Sequence, residues 1–308
     1  MKSGWRTVLL TTLMLCLSSR ADAQKSAWSG RVYDVSRQIF LTADQIRAGL
    51  EGVELLVLGE KHNTIQVQLE QSSALRLALE ANPLAQNRWI LGWEFLNRRD
   101  QKSIDDQWDA YSEGRISGNQ LLDHLMGPGL GRTYLPLLEV ANAYQGVLRG
   151  LNLAREEKAP VVTGGLGAID PALIPPGFAM GGAFYRERFE RAMGSHATPE
   201  QMGRYFQAQC LVDDVMAYTL LEDQAELRVE VNGSFHSDYF DGAVARIRAR
   251  KPSLRLLLIR FIDAADYTEA DLSPQLNLAE PALDPKYGPL ADWVWFAGEP
   301  TTGRRKNN

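Results

Sequence analysis

Two short turns place a histidine in the same setting: Leu58-Gly59-Glu60-Lys61-His62 and Asn232-Gly233-Ser234-Phe235-His236. Each follows an apolar, β-forming run that ends near a glycine, with the imidazole three residues later. Glycine permits a sharp exit from a strand, so both imidazoles are expected just past a strand's carboxyl end. Either turn alone has little specificity; their coincidence points to a site. Glu60 belongs to the first turn, Glu94 closes the run Trp89-Ile-Leu-Gly-Trp93, and Asn152 follows the β-rich run 147–151. Glu60, His62, Glu94 and His236 are therefore expected to converge, with Asn152 as a polar neighbour. Carboxylates beside imidazoles suit general acid/base work or a divalent metal, since both ligand types are available near neutral pH.

Residues so far apart in the chain meet only if the fold gathers strand ends. The runs 53–58, 89–93, 147–151, 160–163, 227–231 and 254–261 are β-rich and alternate with stretches of helical spacing. This predicts βαβ units and an α/β fold, a mostly parallel central sheet flanked by helices. Such a sheet collects the carboxyl ends of its strands in one crevice. The stretch carrying Leu69, Leu75, Leu77 and Leu79 lacks Gly and Pro and predicts the first crossover helix. Residues 104–126 and 134–143 also read as helical, parted at Gly127-Pro128-Gly129.

From 164 to about 205 the pattern changes to Pro- and Gly-rich sequence, then an aromatic and Arg-rich helix over 184–193. This segment is expected to form a small helical subdomain or cap, continuing into a helix over 199–221. After Phe261 the Pro-rich stretch to 296 lacks periodicity and is expected to wrap the surface. A single domain over 24–300 would precede a disordered tail, 301–308.

The N-terminus reads as a secretory signal over residues 1–23. Lys2 and Arg6 precede the apolar run 7–17, and Ala21-Asp22-Ala23 resembles a cleavage site. Eleven residues are too few for a membrane span, which needs about 20. Cleavage removes three positive charges and one negative, moving the net charge from −5 to −7. An acidic surface argues against nucleic acid as a partner. Of the two cysteines only Cys210 would remain, so no internal disulfide can form. An exported location, periplasmic or outer-membrane associated and soluble after cleavage, is the expectation.

His124, on an amphipathic helix, and His196, in a polar turn, are read as solvated. Asp213 and Asp214 lie on a helix whose Ala208, Cys210, Val212, Val215 and Met216 suggest packing on the sheet. A carboxylate there is either a helix-face charge or a partner of a site histidine.

At these residues the chain resembles the ChaN family of haem-binding uptake proteins, within the Tiki-like superfamily that includes erythromycin esterases. The resemblance runs in order over residues 50–250: Leu-Gly59-Glu60-Lys-His62, the strand ending in Glu94, and Tyr134-Leu-Pro-Leu. Gly150-Leu-Asn152-Leu-Ala-Arg155, Ala208-Gln209 with Asp213 and Met216-Ala217, and Gly233-x-x-His236 complete it. It implies a parallel sheet with a helical subdomain, an extracytoplasmic location, and haem held where two protomers meet. It sets the shared polar site on Glu60, His62, Glu94 and His236, with Gln209 and Asp213 behind. Relatives follow the first turn with an Asp and a histidine pair; this chain has Asn63 and Val67-Gln68 there.

Two functions follow. The first is an exported haem-binding protein of iron acquisition, with a homodimer and an outer-membrane haem receptor as partners. Tyr185 or Tyr205 would ligate iron, and Arg188 of the segment Phe184-Tyr-Arg-Glu-Arg-Phe189 would pair with propionates. The second is a hydrolase, protease or esterase, in which Glu60, His62, Glu94 and His236 activate water or hold Mn, Co, Zn or Fe.

Overall fold

The computed structural model describes residues 29–85, 87–194, 197–267 and 282–299. The expected signal segment, its Cys16, His196 and the expected tail lie outside them. In chain order the elements are β1 (Val32–Asp34), β2 (Ile39–Phe40), α1 (Ala43–Leu50), β3 (Leu55–Glu60), α2 (Ile65–Ala81) and β4 (Trp89–Asn97). Next come α3 (Gln101–Ser112), α4 (Gly118–Met126), α5 (Leu135–Ala143), β5 (Val147–Asn152), α6 (Arg155–Gly164), α7 (Ala183–Met193) and α8 (Pro199–Glu222). The chain then forms β6 (Leu227–Gly233), α9 (Gly242–Arg250), β7 (Leu256–Asp263), the short pair β8 (Leu283–Asp284) and β9 (Gly288–Pro289), and β10 (Trp293–Ala297).

Eight strands make one sheet in the order β2-β1-β10-β7-β3-β6-β4-β5. The six from β10 to β5 run parallel, while β1 and β2 add an antiparallel edge. Leu55, Leu56, Val57 and Leu58 are all fully buried, as a strand covered on both faces requires. The pleat sends Leu56 and Leu58 into a core with Leu75 of α2 and Leu137 of α5. It sends Leu55 and Val57 against Val212 and Met216 of α8 and Val244 of α9. Fully burying one such leucine contributes about 1.5–3 kcal/mol. Among the described residues no helix is long and apolar enough to cross a membrane.

Three local readings are corrected. Residues 160–163, read as a strand, belong to α6, where Pro160 sits inside the helix; an apolar run this short carries no period that separates the two states. The stretch from 261 to 296 does not simply wrap the surface. Trp293, Val294, Trp295, Phe296 and Ala297 are buried in β10, between β1 and β7. Residues 104–126 form two helices rather than one, because Ser117 caps α4 and its side chain accepts from the Gln120 N–H. The segment 164–205 contains 3₁₀ turns, α7 and the start of α8. Thr198 caps α8 and Pro199 fills its first turn.

Candidate functional site

The pleat decides where each acid points. Glu60 continues the series Leu56 and Leu58 and faces α2 and α5, whereas Glu94 continues from Ile90 and faces α8. The two carboxylates therefore reach the same sheet edge from opposite faces. Strand β6 lies between their strands, and its Gly233 pairs with Glu60 in register. A Cβ on Gly233 would lie 2.5 Å from His62 Nε2 and 3.3 Å from Glu94 Oε2. The missing side chain is what lets the His62 ring lie across β6 toward Glu94.

On the first face, Glu60 is buried and fully engaged. His62 Nδ1 lies 2.9 Å from its Oε1, the Tyr134 hydroxyl donates to the same oxygen, and Gln68 Nε2 donates to Oε2 at 2.8 Å. Gln68 thus holds Glu60 by its amide, while Val67 is buried in the core. The His62 side chain is 38% exposed and packs on Phe95, with ring centroids 4.7 Å apart. Burial works against its charge. The Glu60 hydrogen bond and the Glu94 and Glu60 carboxylates outweigh that and raise its pKa above 6.5.

On the second face, His236 leaves the 3₁₀ turn Ser234–His236. Its Nδ1 lies 2.6 Å from Asp213 Oδ1 and its Nε2 lies 3.3 Å from Glu94 Oε1. Glu94 also accepts the Gly233 N–H at 2.5 Å. Desolvation opposes charge on both partners, yet they hold each other ionised. The Glu94 carboxyl is pulled down from 4.5 to about 2 by His236, Gly233 and His62, and the His236 imidazole titrates well above 6.5 because Glu94 and Asp213 flank it. Asp213 is buried, accepts the Tyr185 hydroxyl at 2.8 Å, and has Arg246 Nη1 3.9 Å away. Of the two readings of Asp213, the structure shows the partner of a histidine.

The sequence-predicted residues are thus sorted. Glu60, His62, Glu94, His236 and Asp213 form one chain of acids and imidazoles, and Tyr134 and Tyr185 close its two ends. The Gln209 amide lies 3.1 Å from His236 Nδ1, and Asn152 Nδ2 donates to the Glu94 backbone carbonyl at 3.0 Å. Tyr134, Gln68 and Gly233 were not singled out for these contacts. Tyr134 stood out only as the start of an apolar helix and within the Tyr134-Leu-Pro-Leu resemblance, and Gln68 only as a departure from relatives. His124 is exposed. Among the described residues no three His, Cys, Asp or Glu groups are arranged to hold one ion; their atoms are paired with one another.

A cavity of about 480 Å³ opens beside this chain, with His236, Glu94 and Gln209 in its wall. Ala159, Val162, Phe189, Met193, Ala208 and Val212 supply apolar surface, and Arg155, Lys158, Asn152 and Tyr205 supply polar atoms. Tyr205 is half-buried there. Tyr185 and Arg188 are not in the wall. Tyr185 is buried behind it on Asp213, and Arg188 is buried with Nη1 2.9 Å from Asp241 Oδ2, its guanidinium 4.4 Å from the Tyr239 ring centre.

A largely parallel open sheet whose carboxyl edge carries paired acids and imidazoles beside an apolar cavity defines an α/β protein with a crevice at its strand ends. Residues 47–247 match the haem-binding uptake family, Tiki superfamily, ChaN, and the chain belongs to that family. A solved structure of ChaN of Campylobacter jejuni, titled for cofacial haem binding, is similar in fold. It is 20% identical with a TM-score of 0.66, over 89% of this chain and 98% of that one. The structure of the type III effector HopBA1 aligns at 13% identity with a TM-score of 0.45, over 83% of this chain and 92% of that one. No curated protein matches the sequence.

Proposed function

We propose that this protein binds haem in the cavity beside His236 and serves haem or iron uptake outside the cytoplasm. Family membership supports the ligand class, and the observation that carries the reading is the cavity itself. Its apolar wall from α6, α7 and α8 suits a porphyrin face, and Tyr205 presents a phenol to it. Bound haem supplies redox-active iron and an intense absorption band. Tyr205 is the iron ligand in this reading, with His236 fixed by Asp213 and Glu94 at the cavity wall. Tyr185, whose hydroxyl is spent on Asp213, supports that pair rather than the iron. The N-terminal signal would export the chain to the periplasm. A homodimer follows from the open side of the cavity and from the cofacial haems of the Campylobacter protein, and an outer-membrane receptor is the expected donor.

Titration of the purified protein with haemin tests this. A saturable red shift of the Soret band that Tyr205→Phe weakens or displaces is the expected result. No shift at all counts against the reading.

One observation favours a second function, hydrolysis. Both imidazoles hold a carboxylate on Nδ1, Glu60 for His62 and Asp213 for His236, an arrangement that fixes the ring and turns Nε2 toward the sheet edge. In this reading His62, the more exposed ring, activates water, and Glu94 with His236 steadies charge on the scissile group. Elemental analysis of the purified protein, together with ester and peptide hydrolysis by the protein and its His62→Ala variant, decides it. Hydrolysis that survives H62A, or none in either protein, rejects it.

A further inference from the structure

The cavity contains a feature that neither haem iron nor hydrolysis requires: two cations that form no ion pair among the described residues. Arg155 and Lys158 lie three residues apart at the start of α6, so both side chains leave the same face of the helix. Both line the cavity. Their acidic neighbours are committed elsewhere. Glu156 accepts from Arg99 at 2.8 Å, and Glu157 accepts the Ala154 N–H at 2.8 Å. The cations of α7 are also spent, Arg186 on Glu190, Arg188 on Asp241 and Arg191 on Glu187. Among the described residues neither Arg155 nor Lys158 forms an ion pair. Lys158 has only the Asn152 side-chain oxygen, 3.5 Å from Nζ.

Lys158 is half-buried, and burial pulls its pKa below 10.5 against the opposing pull of Glu94. A partly desolvated ammonium whose one bonded partner is a neutral amide oxygen is an unfavourable arrangement that an incoming anion relieves. The first turn of α6 adds the positive end of a helix dipole to the same wall.

We propose that Arg155 and Lys158 form a carboxylate clamp, so that the cavity selects ligands with an apolar body and a free carboxylate. This rests on the haem reading and assigns the porphyrin's propionate group to α6 instead of to Arg188 of α7. A guanidinium takes a carboxylate by two parallel bonds, and an ammonium adds a point charge beside it. The apolar residues Val162, Phe189, Met193 and Val212 then face the body of the ligand.

The test compares ligands that differ only in esterification. Haemin and haemin dimethyl ester are titrated into the unaltered protein in the same dilute detergent, and into Arg155→Met, Lys158→Met and Lys158→Arg. The clamp predicts that the free acid binds about tenfold tighter or more, since a charged hydrogen bond is worth that factor. Each Met variant should narrow the preference, and Lys158→Arg should retain most of it. Because the central comparison uses the unaltered protein, misfolding of a variant does not affect it.

Equal binding of acid and ester by the unaltered protein overturns the clamp and leaves haem binding standing. If neither porphyrin binds, the haem reading fails, and the clamp is then judged on cis-parinaric acid against its methyl ester. Absence of a free-acid preference there overturns it as well.

Discussion

Nε2 of His236 lies 3.3 Å from Oε1 of Glu94, and this contact ties the end of β4 to the turn after β6. The two groups keep each other charged although both are largely buried. Stability from Glu94, whose pKa is depressed, is present above about 4.5 and is lost as pH falls toward about 2. Stability from His236, whose pKa is raised, is full below about 6.5 and is lost as pH rises through its folded value. The pair therefore stabilises most between about pH 4.5 and 6.5. Glu94→Gln should cost about 3 kcal/mol at neutral pH and flatten the acid limb of the stability curve. Urea unfolding from pH 3 to 9 measures this, and an unchanged acid limb contradicts it.

Gly233→Ala should separate folding from site geometry. The added Cβ would lie 2.5 Å from His62 Nε2 and 2.8 Å from Cε1. His62 is partly exposed and can swing away, so the stability loss should be about 1 kcal/mol, the low end for overpacking. The displaced ring leaves the carboxylates that raise its pKa. An NMR titration of His62 should move back toward 6.5, and a titration that stays in place speaks against the close approach.

The two buried tyrosines should matter to stability rather than to the colour of a haem complex. Tyr134→Phe removes a donor to Glu60, and Tyr185→Phe removes one to Asp213. Each leaves a buried carboxylate one hydrogen bond short, a loss of about 1–3 kcal/mol. Thermal or urea unfolding reads the loss, and the haem spectrum of both variants should match the unaltered protein. A changed spectrum in Tyr185→Phe would return that residue to the iron.

Glu230 offers a third pH signature. It is completely buried on β6, its Oε1 accepts from Asn232 Nδ2 at 2.8 Å, and burial pushes its pKa up to about 7. A raised carboxyl pKa means that stability falls as pH rises from about 4.5 toward about 7. Glu230→Gln should remove that slope while leaving the effect of Glu94 below pH 4.5. Urea midpoints at half-unit pH steps distinguish the two, and a slope that persists in the variant assigns it elsewhere.

Much of this arrangement was legible in the sequence because strand ends with glycine and a polar residue are local signals. The runs before Gly59, Glu94, Asn152 and Gly233 all proved to be strands, and parallel pairing did the rest. What was not legible depends on contacts between distant segments. Tyr134 meets Glu60 across 74 residues, and nothing near it in the chain announces that partner. Residues 160–163 and the strand β10 were misread for one reason: short, mostly apolar runs lack the period that tells helix from strand or surface from core. Arg188 was assigned a ligand from its composition, but the Asp241 and Tyr239 that occupy it lie some fifty residues further on.

The row of acids and imidazoles from Tyr134 to Tyr185 begins in the layer of α5, passes from His62 to Glu94 by charge alone beside Gly233, and ends in the layer of α7. It laces the two sides of the molecule together at the rim where an open sheet has least to hold it. A descendant that had abandoned its ligand would still lose this seam if it lost these residues. Their presence in a related sequence therefore vouches first for an intact architecture, and the proposed ligand is to be sought in the cavity wall, at Tyr205, Arg155 and Lys158.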